Sequence, residues 1–298
     1  MQFRRLLVPK LDQQSKLNVL PDVVPGNAIP RIIHQTFPTR QLPDEIQENN
    51  ARLKAMNPSW EYRFYEDEDI SNFIRQNYNN KVLEYYNRIN SAYGAARADL
   101  FRYLVIYKCG GVYIDIKSTG TLPLDSVLKD SDSFLVSHWQ NKKNEEYEGF
   151  GFHWDLDVPD GEFQQWHVIS APSHPFLKAV IETIFTNIDL YLPSLHGVGQ
   201  YGVMRVTGPI TYTKSILPIM PLHRYRMVDA AADLGLKYSI YAKFSHMKIY
   251  KAKHYTVLKE PIVRLGPGKK MLSNLMAKVQ ETADFLRSKE LAPAKKNS

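Results

Sequence analysis

The stretch Gly110-Gly111-Val112-Tyr113-Ile114-Asp115-Ile116-Lys117 sets the reading of this chain. Two glycines end one element, three apolar or aromatic residues open a short buried strand, and that strand leads to a carboxylate. Glycine tolerates the tight turn that takes a helix into a strand. The residues before it, Ser91 to Cys109, have helical character, with Ser91 available as a cap and Asp99, Leu100, Arg102, Leu104 and Ile106 along the helix. Asp99 and Arg102, three apart, share one helix face. With the strand taken as Val112 to Ile116, Tyr113, Asp115 and Lys117 fall on one side. A helix face and a strand edge then converge on a small volume holding Asp99, Arg102, Tyr113, Asp115 and Lys117, and the glycine pair lies close to any ligand there. Carboxylates at the ends of strands in α/β sheets sit where such sheets bind ligands.

Outward from this centre the pattern stays α/β. Ile32-Ile33-His34-Gln35 reads as a buried strand between Pro30 and Pro38. Pro43-Asp44-Glu45 opens a helix that runs to about Met56 and stops at Asn57-Pro58. Trp60 to Tyr65 alternates as a strand, and Glu66 to Asp69 starts a second helix. Residues 138–167 hold His138, His153, His167, Trp139, Trp154 and Trp166, a long working loop. Helical periodicity returns over Pro175 to Tyr191, Thr207-Gly208-Pro209 starts another element, and strands fall within 225–263. Residues 269–288 form a basic amphipathic helix. These readings divide the chain into a lead-in at 1–29, one catalytic domain at 30–263 and a basic helix with tail at 264–298.

The bulk properties exclude several classes. The chain has 298 residues, 44% hydrophobic and 23% charged, enough for one large core. Its formal charge of +7 favours anionic partners, but Lys and Arg are dispersed apart from Arg4-Arg5, Lys269-Lys270 and Lys295-Lys296, which argues against nucleic acid. A single cysteine, Cys109, leaves no intrachain disulfide and no cysteine metal site. No N-terminal apolar run and no Asn-X-Ser/Thr acceptor are present, so the expected location is the cytoplasm, with membrane contact open through the basic helix. Eighteen Tyr and four Trp offer flat faces with polar edges, suited to sugar rings and bases.

The run Ala98-Asp99-Leu100-Phe101-Arg102-Tyr103 through Gly110-Gly111-Val112-Tyr113-Ile114-Asp115 resembles the sugar-binding region of the DXD-type glycosyltransferases. That family-32-like group includes yeast Golgi initiating α-mannosyltransferases and bacterial capsule enzymes, and more distantly the glucosyltransferase domain of large clostridial toxins. The resemblance extends from Ile32-Ile33-His34-Gln35 and Asn57-Pro58-Ser59-Trp60 to Ser173-His174-Pro175 and Thr207-Gly208-Pro209. It implies a GT-A, Rossmann-like fold and transfer of a hexose from UDP-hexose or GDP-mannose to a glycan or lipid-linked acceptor, with retention of configuration. By the same resemblance His34, Gln35, Asp99, Arg102, Tyr113, Asp115, Gln165 and Trp166 bind donor and Asp115 and Arg102 carry the catalysis; Lys117 joins these catalytic candidates by its charge, not by the resemblance.

One position departs from the motif: Asp115-Ile116-Lys117 stands where Asp-X-Asp is expected. A Mn²⁺ or Mg²⁺ ion wants hard oxygen ligands, which an ammonium cannot supply. Three readings stay open. Asp115 holds the ion with a second ligand from elsewhere, His246 or His254; Lys117 neutralises the diphosphate in the ion's place; or the chain binds nucleotide sugar or glycan with little activity. Asp155, Asp157, Asp160 and Glu162 are candidate neighbours of the acceptor hydroxyl, and no nucleophilic carboxylate stands out.

Overall fold

The computed structural model of the protein describes residues 19–21, 23–241 and 254–290. Arg4-Arg5, His246 and Lys295-Lys296 lie outside the described residues. Along the chain run β1 (Ile32–Thr36), α1 (Asp44–Met56), β2 (Glu61–Tyr65), α2 (Asp67–Asn77), α3 (Asn80–Arg88), α4 (Gly94–Cys109) and β3 (Gly111–Ile114). Then follow β4 (Thr119–Gly120), β5 (Phe134–Val136), β6 (His167–Ser170), α5 (Pro175–Leu190), α6 (Gly199–Val206) and α7 (Pro209–Ile216). The short strands β7 (Arg226–Met227) and β8 (Leu236–Lys237) precede the long C-terminal helix α8 (Pro267–Glu290).

Among the described residues one sheet has the order β2-β1-β3-β6-β5-β7. The pairs β1–β2, β1–β3 and β5–β7 are parallel, whereas β3–β6 and β5–β6 are antiparallel. Period-two alternation gives the sheet two apolar faces. Tyr113, Val168, Phe134 and Val136 point into a cluster with α2 to α5. Val112, Ile114, Ile33, Leu135 and Ile169 point into a second cluster with Leu53, Trp60 and Leu124. α4 is buried without a break from Asp99 to Tyr107, which explains its lack of a polar stripe: it is a central helix, covered on all sides. Leu20 joins the first cluster, and Gly26 N–H donates to Pro172 O at 3.0 Å, so the described lead-in residues pack on the same core.

Several local expectations shift. α4 starts at Gly94 rather than at a Ser91 cap, because Asn90 organises the turn, its Oδ1 accepting from Ala92 N–H and its carbonyl from Tyr93 N–H. α3 is an additional helix, capped by Asn79, whose side chain accepts from Val82 N–H at 3.1 Å. β3 ends at Ile114, two residues early: Ser118 N–H donates to Asp115 O at 2.8 Å, closing a turn. That turn removes Ile116 from the sheet and packs it on Phe37 and Ile46.

The glycine pair also serves a different purpose from the one expected. It lies at the opposite end of β3 from Asp115, and its close approach is to protein rather than to ligand. A Cβ on Gly110 would meet Pro172 Cδ at 2.6 Å and Pro30 Cδ at 2.7 Å; one on Gly111, at φ +100°, would meet Ile32 O at 2.5 Å. Gly111→Ala is therefore expected to destabilise the fold by about 2 kcal/mol or more. Gly94→Ala, at a helix start with nothing within 4 Å of the new Cβ, should be neutral or stabilising. Equal denaturant midpoints for the two variants would refute the close-approach account.

Three histidines are part of the framework. His34 is fully buried, Nδ1 3.1 Å from Tyr65 Oη and Nε2 3.1 Å from Gly110 O, an arrangement met by the neutral ring donating to the carbonyl and accepting from the tyrosine. Burial lowers the pKa of His34 to about 3, of His167 to about 3 and of His174 to about 4. The unfolded chain takes up these protons below about pH 6.5, while the folded chain resists them. Stability should thus be level in this respect above pH 6.5. It should fall as pH drops from there towards 4, by up to about 1.4 kcal/mol per pH unit for each such histidine. Urea midpoints measured from pH 8 to pH 4.5 test this, and a flat profile below 6.5 would contradict it.

Candidate functional site

Beyond the carboxyl end of β3, four charged side chains form a continuous chain of contacts. Arg102 Nη2 lies 3.1 Å from Asp99 Oδ1 and 3.2 Å from Asp115 Oδ1, and Lys117 Nζ lies 2.9 Å from Asp115 Oδ2. Asp99, Arg102 and Lys117 are 3%, 5% and 7% exposed, so this is no surface ion pair. Sequence spacing brings Asp99 and Arg102 together on α4; the turn after β3 brings Asp115 and Lys117 face to face. The helix end and strand end meet because α4 packs along the sheet beside β6.

Polar neighbours hold the charges in place. Arg102 Nη1 donates to Gln165 O at 2.6 Å and to Gln165 Oε1 at 3.0 Å, and its guanidinium lies over the Tyr113 ring at 4.9 Å. Gln165 Nε2 donates to Asp99 Oδ1 at 3.2 Å, Tyr103 Oη donates to Gln165 Oε1 at 2.6 Å, and Thr207 Oγ1 donates to Asp99 Oδ2 at 2.9 Å. Burial pushes the Asp99 carboxyl up against the lowering pull of Arg102, Thr207 and Gln165. Burial disfavours the Arg102 charge, yet Asp115 and Asp99 outweigh it and hold the guanidinium more firmly protonated.

The other sequence candidates fall around this cluster. Asp115 N–H donates to Trp166 O at 2.8 Å, so the loop entering β6 fixes the turn through its backbone, with the Trp166 ring buried. Gln35 Nε2 reaches Asp115 O at 3.4 Å and Oε1 accepts from Tyr62 Oη at 2.7 Å. Tyr62 in turn lines a 360 Å³ cleft with Arg40, Lys54 and Phe64. His34 lies on the same strand with both ring nitrogens engaged by Tyr65 and Gly110, which makes it a support for the sheet. A larger cavity of 490 Å³ lies by Tyr107 and Ser173, at the far end of α4 from Asp99.

The C-terminal part contributes what spacing did not reveal. Tyr238 carries Lys117 Nζ over its ring at 4.3 Å and accepts from Ser118 Oγ through its carbonyl at 2.6 Å. Ile240 N–H donates to Lys117 O at 2.8 Å, and β8 pairs with β4. His254 lies near enough to Lys117 for its charge to assist burial in lowering the histidine pKa. Tyr255 is close enough to feel Asp99, Lys117 and Asp115, although burial dominates its upward shift. Tyr103 and Thr207 were also missed as site residues; their place in the resembling segments was the available signal.

The loop acids have internal duties. Glu162 accepts from Trp139 Nε1 at 3.0 Å and lies 2.5 Å from His153 Nε2, while Asp155 accepts from Arg205 Nε at 2.7 Å. Asp157 and Asp160 are exposed. Among the described residues, no group of three His, Cys, Asp or Glu side chains could hold a metal ion. The donor set itself does not fit one: Asp115 presents one oxygen to a guanidinium and the other to an ammonium.

Known proteins share both sequence and fold with this chain. Residues 43–134, which include Asp99, Arg102, Asp115 and Lys117, match the family described as "Glycosyltransferase sugar-binding region containing DXD motif". Inositol phosphoceramide mannosyltransferase 2 of Schizosaccharomyces pombe is 30% identical over 203 residues, 66% of this chain and 48% of that protein. The initiation-specific alpha-1,6-mannosyltransferase of Candida albicans is 29% identical over 63% of this chain and 50% of its own length. The chain thus spans about half the length of these curated relatives. The ligand-free glycosyltransferase domain of the YGT toxin shares the fold, with a TM-score of 0.51 at 10% identity over 84% of this chain and 90% of the domain; its UDP-bound form gives 0.50. Residues 43–134 thus match the sugar-binding region of the DXD-type glycosyltransferases, and the sheet that carries them has the GT-A fold.

Proposed function

We propose that this protein transfers a hexose from a nucleotide diphosphate sugar, UDP-hexose or GDP-mannose, to a hydroxyl of a glycan or lipid-linked acceptor, with retention of configuration. The observation that carries the reading is the buried Asp99–Arg102–Asp115–Lys117 chain beyond β3, within the matched sugar-binding region. In this reading Asp99 and Gln165 meet the donor sugar, Arg102 and Lys117 face the diphosphate, and Gln35 with Tyr62 lies towards the nucleoside. Tyr113 and Trp166 hold the turn that presents Asp115.

In the reaction the bond from the anomeric carbon to the diphosphate oxygen breaks, and its electron pair leaves with the diphosphate. The acceptor oxygen bonds to that carbon from the face the leaving group departs, which retains configuration, and the acceptor proton passes to the departing diphosphate. Charge grows on the leaving group, so fixed cations held in a dry site lower the barrier most. Arg102 is such a cation: its position is set by Asp99, Asp115 and Gln165 before any donor arrives. No step is assigned to a divalent ion, because the donor set around Asp115 does not suit one.

The acceptor side is supported by the surface next to Thr207. Trp154 and Tyr201, 71% and 61% exposed, flank the Arg205 guanidinium at 5.0 and 5.8 Å, an aromatic and cationic platform suited to a sugar or an anionic headgroup. The similar inositol phosphoceramide mannosyltransferase 2 of Schizosaccharomyces pombe supports a lipid-linked acceptor in this reading. On α8, Met271, Leu275 and Val279 are exposed at helical spacing beside exposed Lys270 and Lys278. No described helix is long and apolar enough to cross a membrane. Contact by α8 would be at the surface.

Transfer or slow hydrolysis should appear with one of a panel of UDP- and GDP-sugars, and Asp115→Asn should lower it about 100-fold when assayed well below the variant's own thermal midpoint, which loss of a buried ion-pair partner lowers as well. Donor binding without transfer or hydrolysis, with acceptors and metals supplied, would make the protein a binding module instead. Flotation with vesicles containing anionic lipid should recover the protein. The triple change Met271→Ser, Leu275→Ser, Val279→Ser should release it, and equal recovery with neutral vesicles would remove the charge component.

A further inference from the structure

We infer that the ammonium of Lys117 takes the place of the divalent cation, so that this site binds and discharges its nucleotide diphosphate sugar without metal; the inference rests on the proposed glycosyl transfer.

The matched family is described by a DXD motif, and this chain reads Asp115-Ile116-Lys117 at that place. An Asp-to-Lys exchange alters the formal charge of the site by two units, which is the charge of one divalent cation. With a carboxylate at 117, the cluster with Asp99, Arg102 and Asp115 would carry two net negative charges and need a divalent ion before it could accept a diphosphate. With Lys117 the same four groups are neutral by themselves.

The ammonium also sits where an ion would be bound. Lys117 Nζ is 2.9 Å from Asp115 Oδ2, within charge-assisted hydrogen-bond range. It is not a surface side chain that has folded over by chance. Its residue is 7% exposed, the Tyr238 ring lies 4.3 Å from Nζ, and its carbonyl is tied to Ile240 N–H at 2.8 Å. Because β8 pairs with β4 just beyond the turn, the 236–241 segment holds the cation in position. A divalent ion brought to Asp115 would stand beside two fixed cations, Arg102 and Lys117, and would find among the described residues no third ligand of its usual kind. His254 stands beside the same ammonium, so an ion shared between Asp115 and His254 would also face the Lys117 charge.

During transfer the covalent changes are those given above. The anomeric carbon–oxygen bond breaks, and the electron pair moves onto the diphosphate. Lys117 and Arg102 neutralise that charge as it forms, and Lys117 keeps its proton throughout.

The test uses the whole chain and compares nucleotide binding in EDTA with binding in Mn²⁺, by calorimetry with UDP and with GDP. One of the two should bind with the same affinity, within about twofold, in both conditions. Lys117→Ala should weaken that binding about tenfold or more, and Lys117→Arg should retain most of it. Lys117→Asp should bind nucleotide only when Mn²⁺ is present, and should bind Mn²⁺ itself, read by the loss of the free-ion electron paramagnetic resonance signal. Wild-type binding that is absent in EDTA and restored by Mn²⁺ would overturn the inference while leaving glycosyl transfer intact. Failure of both nucleotides in both conditions would overturn the functional reading and this inference with it. The wild-type comparison decides the matter even if a variant fails to fold.

Discussion

The Arg102 guanidinium sits at the junction on which the proposed site depends. A guanidinium removed from water costs several kcal/mol unless its charge and donors are met. Here two carboxylates, a backbone carbonyl, a side-chain amide oxygen and a tyrosine ring surround it. Those partners come from α4, from the turn after β3 and from the loop before β6. The burial of one side chain therefore obliges three chain segments to meet, and the volume they enclose is charged, dry and held in advance of any ligand. Its Nε remains buried without a partner, the kind of local cost that proteins tolerate at functional sites.

The framework that delivers these groups is apolar and backbone-driven. β3 is buried on both faces, and its start is pinned by glycines that let Pro30, Pro172 and the Ile32 carbonyl approach. His34 ties β1 to Tyr65 of β2 and to the same glycine turn, using a neutral ring. The far end of β3 is consequently placed with little freedom, and Asp115 inherits that precision through its hydrogen bonds to Trp166 and Ser118.

The long segment 138–166 contains no strand or helix, yet it is not loose. Asn141 Nδ2 donates to Phe150 O at 2.8 Å and Asp160 O at 3.1 Å, and Glu162 gathers Trp139 and His153. Glu162 and Asp155 are spent on internal order, and the buried charges concentrate in the chain beyond β3. What the segment offers outward is Trp154 over Arg205, next to the helix that ends at Thr207. A hydrogen-bonded loop that exposes the Phe152 and Trp154 rings suits recognition of a partner more than catalysis.

By itself the sequence determined the elements with strong local signals. The helix over 44–56, the strands at 32–36 and 61–65, the helix into Gly110 and the helix opening at Pro175 all follow from periodicity and from Pro, Gly and acidic punctuation, and Gly208-Pro209 marked the start of an element that the fold makes a helix. The pairing of Asp99 with Arg102 was legible too, since a helix turn fixes it. The contact of Lys117 with Asp115 was not. Strand alternation put them on one side, but a turn that ends β3 at Ile114 is what makes them touch. Tertiary structure alone brought Tyr238 and Tyr255 to the site, because contacts across such long stretches of chain leave no periodic trace. It also moved the glycines away from the ligand, since the chain has one direction through β3 and a strand of that length separates its two ends. The substitution at 117 was written in the sequence; the fold decided that its charge would be buried against Asp115 and held there.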